Sequence, residues 1–293
     1  MQKSDVLSMT SEADVTSAER WIGAILVQRG RITNEENARI LKLQREENLR
    51  FGDAAIRLGL LSPADIEFAL SQQYNYPYLV GGDSKVSESV IAAYTTSGRH
   101  MEGMRALRTE LLMRWFEIDT AHKTLAIVSG DRREGRSFIA ANLAVAFSLL
   151  GKRTLLIDAD MRNPSQHTLF GTGNPAGLSA VLSSRGGPES ICRVPGLPDL
   201  SVLPAGNVPP NAAELLARPQ FSKILAALKQ EFDIVLLDTP AASECADAQT
   251  IAMRAGAVLI VTRKNFTRMW RVRGVSNTMV KSSATVVGTV LNH

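Results

Sequence analysis

The sequence predicts an α/β fold, in which a doubly wound, mostly parallel sheet follows a small helical repeat domain. Beyond about residue 100, apolar runs of strand length alternate with helix-like patterns, which is typical of a parallel sheet with helices on both faces. Before residue 80, short helix-like segments recur at an offset of about 29 residues. The 293 residues, 45% of them hydrophobic, suffice for about two domains of ordinary size.

The predicted organisation has four parts. A polar segment over 1–19 is expected to be disordered, and the helical repeat occupies 20–80. A stretch rich in Gly, Ser and Thr over 81–97 is expected to be a linker. The sheet domain then fills 98–293.

A phosphate-binding loop is the most informative motif. An apolar run over 125–128 leads into a GxxxxG[K][ST] spacing, with Arg136 where lysine is expected, and a helix-like pattern follows over 138–150. Backbone N–H groups and a helix N-terminus in such a loop create an anion site. We therefore expect the sheet to be of the P-loop NTPase type, with the Ser137 hydroxyl as a metal ligand. The residues expected to bind the nucleotide are Gly130, Asp131, Arg132, Arg133, Glu134, Gly135, Arg136, Ser137 and Phe138.

Two acidic motifs follow the loop. An apolar run ends in Asp158 and Asp160, which alternate along a strand and so point to the same side. A second apolar run ends in Asp238. Because ligands bind at the carboxyl ends of strands in open α/β sheets, these acids are expected near the phosphates. The other strands are expected at about 201–203, 257–262 and 285–291, and helices at about 212–231 and 246–255.

The loop, the hhhDxDxR strand and the hhhhDTP strand resemble the Walker A, A′ and Walker B motifs of bacterial tyrosine kinases, in the ParA/MinD-like branch of P-loop proteins. ParA and MinD carry a second lysine early in the loop, where this chain has Gly130 and Asp131, which favours the kinase branch. The segment over 203–216 is also similar to one in these kinases. The resemblance covers about 100–293 and is closest to chain-length-determinant kinases of the EpsG type.

The resemblance implies Mg²⁺-dependent transfer of a phosphoryl group from ATP to tyrosine. Asp160 and Asp238 would hold the metal with Ser137, and Asp158 would be the catalytic base. Arg136 would contact the phosphates. Two further residues are expected at the site. Arg162 either neutralises transition-state charge or forms a structural salt bridge, and Asn292 is expected against the adenine.

The resemblance also implies partners. An ExxRxxR helix with Glu102, Arg105 and Arg108 is used for ring assembly in these kinases, which implies a homo-oligomer. The cytoplasmic tail of a membrane chain-length determinant protein is the implied activating partner, in exopolysaccharide biosynthesis. With no run of about 18 apolar residues and no signal-peptide pattern, the expected location is cytoplasmic, at the inner membrane through that partner.

Two alternatives to the kinase remain open. One is a nucleotide-gated regulator without efficient catalysis, and the other is a MinD/ParA-like ATPase. The family's C-terminal tyrosine cluster is not found, so autophosphorylation on a tail is not expected. The four tyrosines all precede the phosphate loop: Tyr74, Tyr76, Tyr78 and Tyr94.

The N-terminal repeat resembles paired units in the N-terminal domain of type II secretion and pilus ATPases, some of which bind cyclic di-GMP. Gly23, Gly30 and Gln44 recur as Gly52, Gly59 and Gln73 at the same offset. In the second copy Arg50 matches the expected arginine, whereas Trp21 stands at its place in the first, and Asn37 replaces an expected leucine. A helical pair that only packs, or docks on a partner, is the alternative.

Charge and cysteine content add three expectations. The net charge of +4 is mild, but a C-terminal cluster of five cations interleaved with Phe266 and Trp270 fits nucleic acid, anionic lipid or an acidic partner, with a solvated helix face as the alternative. Without a groove-reading motif, nucleic-acid binding is not expected. Cys192 and Cys245 have no metal-site spacing and are expected to be free thiols. The five cations are Arg263, Lys264, Arg268, Arg271 and Arg273.

Overall fold

In the computed structural model the described residues form two compact units, one that ends at Gln73 and one that extends from Leu79 to His293. In the part of the chain that it describes, no helix is long and apolar enough to cross a membrane. Cys192 and Cys245 are free thiols and partly buried. The described residues are 22–73, 79, 82, 84–95, 97–174 and 176–293.

The described part of the first unit consists of two helical hairpins. Each first helix ends at a glycine with positive φ, 68° at Gly30 and 67° at Gly59, a backbone that glycine adopts without steric cost. Each second helix starts at a hydroxyl cap, the Thr33–Glu36 capping box in one copy and the Ser62–Asp65 pair in the other. The helices are α1 Ile22–Gln28, α2 Asn34–Glu47, α3 Phe51–Arg57 and α4 Pro63–Gln73.

The two hairpins use equivalent residues at their close contact. A Cβ added to Gly52 would lie 3.0 Å from Ile66 Cγ2, and one added to Gly23 would lie 2.3 Å from Asn37 Oδ1. The repeat thus places Asn37 where the second copy has Ile66. Asn37 Oδ1 is buried without a hydrogen-bond partner, beside a cavity of about 280 Å³. The first hairpin therefore carries a buried polar atom that the second lacks.

The second unit is built on one sheet, which confirms the predicted doubly wound, mostly parallel architecture. The strand order is β3-β4-β2-β5-β1-β6-β7, and every neighbouring pair is parallel except β3 and β4. The strands are β1 Thr124–Ser129, β2 Thr154–Asp158, β3 Cys192–Val194, β4 Leu197–Leu203, β5 Ile234–Asp238, β6 Ala257–Arg263 and β7 Thr285–Asn292.

Helices cover both faces of this sheet. One helix, buried from Ile139 to Ser148, packs on β1, β2, β4 and β5, while the opposite face holds a cluster that includes Leu216, Phe221 and Ile251. The helices of this unit are α5 Arg99–Leu111, continued by a π-helical turn at Leu112–Phe116, α6 Arg136–Ser148, α7 Gln166–Phe170, α8 Leu178–Leu182, α9 Ala212–Ala217, α10 Pro219–Glu231, α11 Asp247–Ala255 and α12 Met269–Lys281.

Two expected elements differ in detail. The helix expected over 212–231 is broken, because Pro219 holds Arg218 in an extended conformation with ψ of 145°. The strand expected at 201–203 starts earlier, at Leu197, because it pairs with the antiparallel strand β3, which the sequence analysis missed.

The segment 81–97 is not a free linker where the structure describes it. Val90, Ala92 and Ala93 are fully buried, the last two in a 3₁₀ turn at Ile91–Ala93. Asn142 on α6 accepts a hydrogen bond from the Ala92 N–H at 2.9 Å and donates to Ser89 O at 3.3 Å. The Gly and Ser content suggested flexibility, but four buried apolar residues and the Asn142 amide fix the segment to α6. These are Val86, Val90, Ala92 and Ala93.

Candidate active site

The phosphate loop joins β1 to α6 and is held by a buried glutamate. Glu134 is fully buried, and its carboxylate accepts hydrogen bonds from the Asp131 N–H at 2.9 Å and from the Thr267 hydroxyl. The next residue, Gly135, has a φ of 92°, and a Cβ there would lie 2.0 Å from Asn292 Nδ2. Glycine adopts this backbone without steric cost and leaves room for the Asn292 amide against the loop.

Three carboxylates meet at the carboxyl ends of two adjacent strands. Asp158 on β2 lies opposite Asp238 on β5 in the parallel register, and both side chains are fully buried. Asp160 follows two residues later and is almost fully buried. The strand pairing therefore brings together the acids that the sequence predicted from two separate motifs.

Arg136 lies among these acids. Its Nη1 donates a hydrogen bond to Ser129 Oγ at 2.6 Å. Its Nη2 lies 3.4 Å from an Asp160 oxygen, and its Nε lies 3.6 Å from Asp238 Oδ1. The guanidinium is thus the cation that offsets the buried negative charge, which a buried carboxylate requires.

Gln166, at the start of α7, is a site residue that the sequence analysis missed. Its backbone N–H donates to Asp158 Oδ2 at 2.9 Å, and its side-chain Nε2 donates to Asp238 Oδ2 at 2.7 Å. The side chain also donates to Ser137 O at 3.2 Å. The sequence offered one indication of this role, because Gln166 follows Asp158 by eight residues at the start of a helix. Glutamine is nevertheless common on protein surfaces, and the burial of this one depends on the fold.

Burial raises the pKa of all three acids. Desolvation, with the Asp238 charge next, raises the pKa of Asp158 to about 8, against hydrogen bonds from the Gln166 and Ser165 backbones that favour the ionised form. Desolvation also raises the pKa of Asp238 and of Asp160, and Arg136 opposes both shifts. The cluster therefore has fewer negative charges near neutral pH than its composition suggests.

The donor set fits a magnesium ion. Buried oxygens Oδ1 of Asp158 and Oδ1 of Asp238 have no hydrogen-bond donor. Mg²⁺ is commonly held by one or two carboxylates together with substrate phosphates, so Asp160, Asp238 and the Ser137 hydroxyl would suffice beside the phosphate loop. Although three carboxylates lie near one another, no group of three His, Cys, Asp or Glu side chains in the described ranges could hold a metal ion by itself. Phosphate and water would therefore supply the other ligands of Mg²⁺.

A cavity of about 640 Å³ opens over Arg136, Ser137 and Asp160. Its wall includes Arg132, whose guanidinium forms an ion pair with Glu244. Arg133 has a left-handed backbone with φ of 62°, which directs the loop around this opening. Of the three acids, Asp160 lines this cavity, so a ligand entering from solvent would meet it first.

The structure separates two further predicted residues from the acids. Arg162 pairs with Asp247, with Nε 2.8 Å from Oδ2, so its guanidinium serves the salt bridge that was one of its two expected roles. Asn292 Nδ2 donates to Glu134 O at 3.2 Å. It borders a second cavity of about 360 Å³, which Phe138, Arg99 and His100 also line.

The ExxRxxR helix α5 is only partly available to a neighbour. Glu102 and Arg105 form an ion pair on the helix, and the Glu102 side chain is 67% exposed. Arg108 donates to Ala146 O on α6 at 2.9 Å. Arg108 therefore stabilises the packing of α5 on α6 within one subunit.

No family model matches the chain, but the similar proteins include several that are named tyrosine-protein kinases. The chain is 34% identical over 193 residues to the tyrosine-protein kinase wzc of Salmonella typhimurium, covering 66% of this chain and 26% of wzc. It is 32% identical over 209 residues to the tyrosine-protein kinase YwqD of Bacillus subtilis, covering 71% of this chain and 87% of YwqD. It thus spans about a quarter of wzc and most of YwqD.

Solved structures that resemble this chain also include a bacterial tyrosine kinase domain. The chimerical protein CapA2B2 is similar with a TM-score of 0.66 and 31% identity, over 77% of this chain and 98% of that one. The kinase domain of the Escherichia coli tyrosine kinase ETK has a TM-score of 0.61 and 28% identity, over 65% and 74%. The cell division ATPase MinD of Pyrococcus furiosus has a TM-score of 0.51 and 27% identity, over 58% and 71%.

Proposed function

The chain belongs to the bacterial tyrosine kinases, and we propose that it transfers the γ-phosphoryl group of ATP to tyrosine hydroxyls with Mg²⁺. The observation that carries the proposal is the arrangement of three buried carboxylates and Arg136 directly beside a phosphate loop. Phosphoryl transfer depends mostly on positioning and charge neutralisation, which this arrangement supplies.

The proposed roles follow from position. The loop amides and Arg136 would bind the phosphates, and Ser137, Asp160 and Asp238 would hold Mg²⁺. The bound metal neutralises charge on the phosphates. Asp158 would accept the proton of the incoming phenol once Mg²⁺ is bound nearby, because the cation favours the ionised carboxylate that burial alone disfavours.

The nucleoside would occupy the cavity beside Asn292. That cavity adjoins the phosphate loop through Phe138 and is lined by the apolar side chains of Met104, Leu107 and Ile139. An apolar site with few polar groups suits a flat base, and the Asn292 amide would supply the polar contact. Gly135 makes room for that amide.

The partners remain part of the proposal. We expect a homo-oligomer in which Glu102 and Arg105 contribute to the subunit interface, and a membrane chain-length determinant whose cytoplasmic tail brings the protein to the inner membrane. The cellular role would be exopolysaccharide biosynthesis. Support comes from relatives named wzc and EpsB tyrosine kinases.

A nucleotide-gated regulator is the second candidate. Arg136 approaches both Asp160 and Asp238, so the cation expected on the phosphates is also bound to the metal ligands. A planar guanidinium cannot replace a lysine ammonium without a change in phosphate geometry. Such a protein would bind Mg·ATP and change its contacts with a partner without rapid transfer.

Cyclic di-GMP binding by the helical unit stays a hypothesis. Arg50 is exposed just before α3, as a phosphate contact requires, whereas Trp21 lies outside the described residues. Of the four tyrosines, Tyr74, Tyr76 and Tyr78 also lie outside them, and the Tyr94 hydroxyl donates to Val86 O.

The test is Mg²⁺-dependent ATP consumption by purified protein. Asp160→Ala and Asp238→Asn each remove a proposed metal ligand. We expect each to lower the rate of ATP consumption roughly a hundredfold or more, because several kcal/mol of transition-state stabilisation are lost. Asp233→Asn is the matched control, because Asp233 precedes the amino end of β5 and pairs with the partly exposed Arg153. Equal rates in all three variants would refute the assignment of the site.

A further inference from the structure

The loop after β6 and the first turn of α12 expose three large apolar side chains. Phe266 is 52%, Met269 68% and Trp270 60% exposed, all within five consecutive positions. Single exposed hydrophobic residues are common, but adjacent ones including two aromatics mark a surface that is buried in a complex.

Cations surround these side chains. Lys264, Arg268 and Arg273 are exposed and make no ion pair with the described residues. From Ala248 to His293 the sequence contains seven Lys or Arg and no Asp or Glu. We call Lys264, Phe266, Arg268, Met269, Trp270 and Arg273 the basic–aromatic surface.

Two acids that contact residues within this segment already have partners. Asp131 binds Arg271, with Nε 3.2 Å from Oδ2, and Glu134 is buried against Thr267. Two further cations are fixed over the aromatic rings, Arg271 at 4.6 Å from the Trp270 centroid and Arg263 at 5.7 Å from that of Phe266. The exposed cations Lys264, Arg268 and Arg273 therefore have no acidic partner in the part of the chain that the structure describes.

The surface has a fixed conformation because its flanking residues bind the phosphate loop. Arg263 Nη1 donates to Arg133 O at 3.1 Å, and a Cβ on Gly130 would lie 2.7 Å from Arg271 Cγ. The apolar side chains are thus held outward on an ordered segment, without the ordering cost that a disordered loop has on binding.

We propose that the basic–aromatic surface docks directly on an anionic lipid bilayer. Aromatic and methionine side chains inserted at headgroup depth, with Lys and Arg against anionic headgroups, form the combination that interfacial binding requires. Nucleic acid fits the cations but leaves Met269 and the exposed faces of both aromatics without an apolar environment, so the bilayer is favoured. The proposal does not depend on kinase activity.

The experiment is co-sedimentation of the full chain with vesicles at low salt, without nucleotide. One set of vesicles is phosphatidylcholine alone, and the other contains phosphatidylglycerol as about a third of the lipid. We expect binding to the anionic vesicles, lowered by salt, because headgroup attraction is screened. Phe266→Ala with Trp270→Ala should weaken it about tenfold or more. Arg268→Gln with Arg273→Gln should weaken it by about fivefold per cation.

The matched control is Met113→Ala with Ile118→Ala. These side chains are similarly exposed, at 57% and 65%, but the cation between them, Arg114, is paired with Glu110. This variant should bind vesicles as the unchanged protein does. Thermal melting of every variant checks folding. Absence of binding to anionic vesicles, equal binding to neutral ones, or unchanged binding of both surface variants would overturn the proposal. So would binding of a duplex oligonucleotide that displaces the protein from vesicles and is unaffected by the aromatic substitutions.

Discussion

At the scale of single residues, the site depends on the balance between three buried acids and one arginine. A buried carboxylate is costly unless a charge or hydrogen bonds compensate it, and here Arg136 and Gln166 supply both. Arg136 lies against the two carboxylates that are proposed to hold Mg²⁺. An arginine in place of the usual lysine therefore affects two things, the neutralisation of the buried carboxylates and the binding of phosphate.

This balance makes stability depend on pH. Asp158 keeps its proton up to about pH 8 in the folded protein but loses it near 3.8 when unfolded, so the folded state binds more protons between these values. The free energy of unfolding should therefore fall as pH rises through this window, by at most about 1.4 kcal/mol per pH unit for one group. Asp160 and Asp238, whose pKa values are also raised, act in the same direction.

We expect Asp158→Asn to flatten the pH dependence of unfolding in metal-free buffer between pH 5 and 8, as denaturant titrations would measure. Asp233→Asn is the control, because the Arg153 pair lowers the pKa of Asp233 and its proton is lost below this range. Identical slopes for the Asp158 variant and the unchanged protein would show that this carboxyl is ionised throughout.

At the scale of secondary-structure elements, the repeat shows how one substitution changes a hairpin. Ile66 packs against Gly52, whereas Asn37 presents an unpartnered oxygen to Gly23. A buried polar atom without a partner costs about 1–3 kcal/mol. The first hairpin is therefore the weaker copy.

We expect Asn37→Leu to stabilise the helical unit by about 1 kcal/mol, seen as a rise of several degrees in its melting transition. Asn34→Leu, at an exposed position on the same helix, is the control and should have little effect. A destabilised Asn37→Leu protein would mean that the amide has a partner, and would favour a ligand or docking role for the cavity beside it.

The sequence predicted those elements that depend on local patterns. Strand alternation, the phosphate loop and the acids at strand ends were sufficient for the sheet and for the meeting of Asp158 with Asp238. Long-range packing could not be predicted: the burial of 84–95 depends on Asn142, more than 45 positions away, and Gln166 joins two strands only after α7 folds over them. Strand β3 is three residues long, which is too short to show the alternation of apolar and polar residues that predicts a strand.

At the scale of the whole molecule, we expect helix α5 to take part in a homo-oligomer. Of the three charged residues of the ExxRxxR motif, Glu102 is exposed and Arg105 is half-buried, while Arg108 contacts its own subunit. The ExxRxxR motif therefore contains two residues that are expected at the subunit interface and one that stabilises packing within the subunit.

We expect Glu102→Ala with Arg105→Ala to reduce the oligomer mass measured by sedimentation with Mg·ATP, without a loss of thermal stability beyond about 0.5 kcal/mol, since a surface ion pair contributes little. Arg108→Ala should instead lower the melting temperature, because it leaves the Ala146 carbonyl without its donor. An unchanged mass for the double variant at every nucleotide condition would contradict the proposed interface.

The most direct test of the account is the detection of phosphotyrosine after incubation of the purified chain with Mg²⁺, γ-labelled ATP and a tyrosine-containing polypeptide. We expect label on tyrosine, confirmed by mass spectrometry, and its loss by roughly a hundredfold or more in Asp238→Asn, with Asp233→Asn unaffected. Tight Mg·ATP binding without label on any tyrosine, or label that persists in Asp238→Asn, would contradict the kinase assignment.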